Sequence, residues 1–146
     1  VKVTQEWRRW PVAAAVVALS FTGCDSALGL VRGGRQLGVI AFYSDPIVIE
    51  VPDTVRRGQD FTVRVRTYGG GCISQGPTEV EVAGLRATVT PYDIDSGSGF
   101  CTSELRLFQH AATIRFDRAG DARVVVRGTR QPGDRPVAEE RTVIVL

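Results

Sequence analysis

The residues in this 146-residue chain that could do chemistry are few: one histidine, three cysteines and a group of carboxylates around a glycine-rich stretch. His110, in "LFQHAAT", would act as a general base only with a nucleophile beside it and a partner to orient its ring. No G-x-S-x-G stretch supplies the nucleophile, so His110 is expected at the surface or at a strand edge, and the chain is not expected to be an enzyme. In "DIDSGSGFCTSE", Asp93 and Asp95 fill the first and third places of a calcium loop and Glu104 the twelfth. Gly97 and Ser98 stand where that loop needs an oxygen ligand and a glycine, so a solvated turn is expected and no metal is assigned. With one histidine and no CxxC, nothing implies a transition-metal cluster, and no motif implies a cofactor.

Charge narrows the partners. The net charge is +2, and Lys2, Arg8 and Arg9 against Glu6 account for all of it. The remainder is neutral and offers no electrostatic footprint for nucleic acid. Beyond Lys2 every basic side chain apart from His110 is an arginine, and Arg64, Arg66, Arg86, Arg123 and Arg127 fall on outward strand positions. Glu79, Glu81, Glu139 and Glu140 balance them, which predicts cross-strand ion pairs, with an acidic partner as the alternative.

The elements that hold these residues begin with a targeting pattern. "VKVTQEWRRWP" is basic and runs into the uncharged "VAAAVVALSF", a stretch of about ten residues. A spanning helix needs about 20 apolar residues, so residues 1–23 are expected to form a signal-peptide helix. Val1 fits a GTG start codon read literally. The "FTGC" that follows resembles the lipobox of bacterial lipoproteins, with Thr22 and Gly23 in the two small positions and Phe21 where the family usually has Leu. The resemblance implies that Cys24 becomes the lipid-bearing, acylated N-terminus. It places the mature protein in the bacterial cell envelope, tied to the membrane and facing the periplasm or the exterior. Asp25 fits the enterobacterial rule for inner-membrane retention.

Lipidation of Cys24 also settles an odd count, because three cysteines in an exported protein leave one unpaired. Cys72 and Cys101 are then the available pair, in a compartment where disulfides persist. Free buried thiols or a metal site are the alternatives, and a metal site lacks partners.

Residues 24–38 read as the lipidated N-terminus and a flexible tether, because "DSALGLVRGGRQLG" has no sustained period and carries several glycines. From Val39 the period is two. Ile47, Ile49 and Val51 share a face, as do Phe61, Val63 and Val65, then Leu85, Ala87 and Val89, then Ala122, Val124 and Val126, and "TVIVL" repeats the pattern. Turn signals such as "GGGC", "GPT", "DSGSG" and "RQPGDRP" separate the runs. Short β-branched runs at near-regular spacing predict an all-β, antiparallel sandwich or barrel over residues 39–146. "VPDTVRRGQDFTVRVRT" and the "FDRAG" corner resemble bacterial immunoglobulin-like domains, which implies an immunoglobulin-like sandwich for most of that span.

Such a sandwich hosts many roles, so function rests on the loops. The expectation is a non-catalytic binding or scaffold module of the envelope, with a protein or glycan partner. A receptor for a small ligand or carbohydrate is the alternative, and Tyr68, Tyr92 and Phe100 beside the glycine-rich loops are the candidate aromatic contacts. A Cys72 to Cys101 bridge would hold "YGGGCISQGP" and "YDIDSGSGFC" together and order them in advance.

Overall fold

The computed structural model describes residues 33–146. The signal segment 1–23, Cys24 and residues 25–32 of the tether lie outside the described residues. The described part is all-β, with ten strands and no helix.

The long strands form where β-branched side chains alternate with polar ones. β5 (Asp60–Gly69) buries Phe61, Val63, Val65 and Thr67 and turns Arg64 outward. β7 (Arg86–Asp95), β8 (Arg106–Arg115), β9 (Gly120–Gln131) and β10 (Arg135–Val145) follow the same rule of successive side chains on opposite faces. Phe61, Val63, Val65, Ala112, Ile114 and Phe116 meet Ala87, Val89, Ala122, Val124, Val126, Val143 and Val145 in one core. Ile47, Ile49, Val51 and Leu85 pack on its margin.

Pairing makes one open sheet network. β10 lies antiparallel along the whole of β9. The other edge of β9 is shared: β7 pairs with it in parallel from Arg86↔Arg123 to Val89↔Val126, and β2 (Val39–Phe42) continues from Val39↔Thr129. β6 (Ile73–Ala83) forms a hairpin with β7, whose opposite edge beyond β9 is taken by β1 (Gly34–Leu37). β5 pairs with β8 over its full length, and β3 (Ile49–Glu50) and Val39 of β2 share its other edge. β4 (Thr54–Val55) adds to the end of β10. β6 and β8 finally come side by side, joined by side-chain bonds rather than by a backbone ladder.

Three expectations need correction. Gly34–Leu37 pairs with β7, so the sheet begins within the stretch assigned to the tether. The "GPT" taken for a turn lies inside β6, where the register shifts between Gln75 and Thr78; a bulge absorbs Gly76 and Pro77 without ending the strand. Three pairings are parallel rather than antiparallel, and between β7 and β9 the chain crosses to β5 as β8 and returns, which is the long connection a parallel pair needs. Pro91 sits mid-strand in β7 at the point where β9 has left that edge and β1 has not begun, so its missing N–H leaves no ladder acceptor unpaired.

Candidate functional site

The polar cluster nearest to chemistry is buried. His110 is fully buried and Asp93 is 1% exposed. Asp93 Oδ1 lies 3.1 Å from His110 Nε2, and Thr67 Oγ1 lies 3.2 Å from the same nitrogen. On the far side of the ring, Thr78 Oγ1 is 2.9 Å from Nδ1. The Asp93 carboxyl and the Thr67 hydroxyl share one ring nitrogen and the Thr78 hydroxyl takes the other, with the tautomer deciding whether that hydroxyl donates or accepts. Asp93 Oδ2 is the one buried side-chain polar atom among the described residues with no partner.

Hydroxyl, imidazole and carboxylate in this order have the connectivity of an acid–base relay. Their position argues for a different task. Thr67, Thr78, Asp93 and His110 come from β5, β6, β7 and β8, and none of them lines any of the four described surface clefts. With both ring nitrogens already bonded, the histidine ties four strands together. Gly38 permits this packing, since a Cβ there would stand 2.6 Å from Thr67 Cγ2 and 3.2 Å from Asp93 Oδ2.

The open chemistry lies at the end where β5, β6 and β8 meet. Cys72 and Cys101 are disulfide-bonded, with their Cα atoms 5.1 Å apart. Gly70, at φ 113°, and Gly71, at φ 61°, let the β5–β6 turn lie against the carbonyls of Glu104 and Thr102. Beside the bridge is a cleft of about 590 Å³ whose walls include Phe42, Tyr68, Ile73 and Leu105, with Gln36, Gln131 and Asp134 as polar groups. The Phe42 and Tyr68 rings stack at 5.1 Å. The Tyr68 hydroxyl donates to Asp45 Oδ2 at 3.4 Å, and desolvation by burial, followed by the Asp45 charge, raises the phenol above its ordinary value.

The three aromatic candidates are not brought to one platform. Tyr68 is in this cleft, whereas Tyr92 lines another of about 450 Å³ with Glu79, Glu81, Arg127 and Val137. The Arg35 guanidinium carbon stands 3.5 Å over the Tyr92 ring, and Arg35 also pairs with Glu79, whose hydrogen bond is the main reason the guanidinium binds its proton more tightly than usual. Phe100 is 96% exposed on the loop after β7. Nor do the calcium candidates converge: Asp93 faces His110, Asp95 Oδ1 accepts from the Gly97 N–H, and Glu104 accepts from Thr102 and Arg106. No group of three potential metal ligands exists among the described residues. Of the outward arginines, Arg64 pairs with Glu50 at 3.9 Å, and Arg86 and Arg123 both reach Glu140, at 3.8 and 3.3 Å.

His110 is the residue the expectation misplaced in burial, since it is a buried hub and not a surface side chain, although it does lie on β8, whose backbone is paired on one side only. The signal that finds it is parity. Counting by two from Phe116 through Ile114 and Ala112 reaches His110, and the same count takes Val65 to Thr67 and Val89 to Asp93. Phe42, which floors the cleft, had no such marker. No family model, curated protein or solved structure matches the chain.

Proposed function

We propose that the chain is a lipid-anchored, non-catalytic binding module of the bacterial cell envelope, carried on Cys24 and folded as an immunoglobulin-like sandwich. In this reading β5 and β8 form one layer and β6, β7, β9 and β10 the other, with the shared core between them. The observation that carries the binding role is the cleft floored by Phe42 and Tyr68, set beside loops that the Cys72–Cys101 bridge holds in advance. Ordering such loops before association lowers its entropic cost. The absence of catalysis is supported by the histidine, which is buried with both nitrogens occupied. The membrane is the first partner, through the lipid. A protein or glycan of the envelope is the second, and neither a cofactor nor nucleic acid is involved.

A receptor for a small ligand or carbohydrate is the second reading, and the concavity of the cleft favours it. Aromatic faces with a few amide and carboxylate groups suit a sugar, and Gln36, Gln131 and Asp134 are such groups. Photocrosslinking in envelopes from a probe at Leu105, with and without Tyr68→Ala, tests the site. A protein captured by the parent and lost in the variant supports the module, and saturable glycan binding lost in the variant supports the receptor. Identical captures and no glycan binding would remove the cleft from consideration.

A further inference from the structure

The place where the chain enters the domain is fixed. Gly33 packs so closely on the loop after β7 that a Cβ would stand 2.5 Å from the Gly97 nitrogen. Ser96 of that loop donates its N–H to the Cys72 carbonyl, and Cys72 is bonded to Cys101. The N-terminal chain therefore arrives beside the disulfide. The same end collects exposed apolar side chains: Phe100 at 96%, Leu105 at 57% and Leu107 at 51%, with Tyr43 across the cleft. These are four of the seven exposed large hydrophobic residues among the described residues, and Val82 lies at the opposite end of β6. Of the charged groups there, Arg106 pairs with Glu104 at 2.9 Å.

Nine residue steps separate Cys24 from Gly33, a reach of about 30 Å when fully extended. A lipid on Cys24 thus keeps this end within a short distance of the bilayer. We infer that the disulfide end of the domain rests on a neutral phospholipid surface, with Phe100, Leu105 and Leu107 lodged at the boundary between headgroups and acyl chains. The inference rests on the reading of Cys24 as lipid-bearing. Its chemistry is that of interfacial binding, in which exposed aromatic and aliphatic side chains leave water while nearby polar groups stay solvated. The residues from Cys24 onward carry no net charge, which points to a zwitterionic surface rather than an anionic one.

The mature chain after Cys24 has no tryptophan, which gives a clean reporter. Phe100→Trp, Leu105→Trp and, as a control at the far end, Val82→Trp are made in the chain with its N-terminal segment, expressed in a bacterial host and reconstituted in phosphatidylcholine vesicles. Quenching by brominated acyl chains is then measured, with fatty-acid labelling of each protein and circular dichroism to confirm folding. The expected result is quenching at positions 100 and 105 that exceeds quenching at position 82 by about tenfold. Labelled, folded protein with equal or no quenching at the two ends overturns the membrane seat and leaves the anchor intact. Protein without the label overturns the anchor, and the seat falls with it.

Discussion

Replacing His110 by alanine separates a structural hub from an ornamental one. The imidazole is fully buried and supplies the one partner of Asp93 Oδ1, while Oδ2 has none. In His110→Ala the carboxylate is left in the core with neither oxygen bonded, and removal of one partner from a buried pair costs about 3–5 kcal/mol. The hydroxyls of Thr67 and Thr78 lose their partner as well, but Thr78 is only half-buried and water can replace the ring there. Against a total stability of about 5–15 kcal/mol for a domain, this is a large fraction. With a urea slope of about 2 kcal/mol/M, the midpoint followed by far-ultraviolet circular dichroism should fall by about 2 M. Adding Asp93→Asn to His110→Ala should recover about 1–2 kcal/mol, because an unpaired amide is cheaper to bury than an unpaired charge. A loss below about 1 kcal/mol for His110→Ala, or a further loss on adding Asp93→Asn, would refute the account of this cluster as a paired, desolvated unit.

Cys72→Ser with Cys101→Ser opens a 29-residue separation and should cost about 3–4 kcal/mol, read as a lower thermal midpoint that reductant reproduces in the parent protein and does not change in the variant. Gly38→Ala places a methyl 2.6 Å from Thr67 Cγ2 and should destabilise by about 1–3 kcal/mol in denaturant titration, whereas Gly99→Ala, with open space around it and no left-handed backbone, should cost less than that. Tyr68 holds its proton above the ordinary value of 10.0, so the stability it contributes is complete below that pH and is lost as pH rises through the higher folded value. Asp45→Asn should bring the ultraviolet titration of Tyr68 back toward the ordinary phenol, and an unchanged titration would assign the shift to burial alone.

The half of the fold that was legible is the half in which inward positions are apolar. Phe61, Val63 and Val65, and again Ala122, Val124 and Val126, declare their face because the strand period and the burial period coincide. β8 was hidden because His110 interrupts its apolar series, and an imidazole in an inward slot looks like an exposed residue until its partners are known. β6 was hidden by Gly76 and Pro77, which announce a turn locally but form a bulge once β7 lies alongside. The cysteine pair was accessible by counting, since the reading of Cys24 as lipid-bearing leaves Cys72 and Cys101 as the two that can pair. The cleft was not. Its floor brings Phe42 of β2 to Tyr68 of β5, and its rim adds Gln131 of β9 and Leu105 after the disulfide, so no local stretch contains it. Tyr92 and Phe100 are near the same loops in sequence, yet sheet alternation and loop path send them elsewhere.

The seam between β6 and β8 has a consequence for behaviour at high concentration. Each of these strands has a backbone partner on one side only, β7 for one and β5 for the other. Across the gap the Gln75 side-chain amide donates to the Gln109 carbonyl at 2.8 Å, and Thr78 meets His110. Each strand thereby shields the other's free edge, which would otherwise be a template for pairing with a second molecule. A variant that loosens this seam while keeping both hairpins presents two unprotected rims of eleven and ten residues. Turbidity and light scattering should therefore report the loss of His110 or Thr78 at protein concentrations where circular dichroism still reads a folded chain.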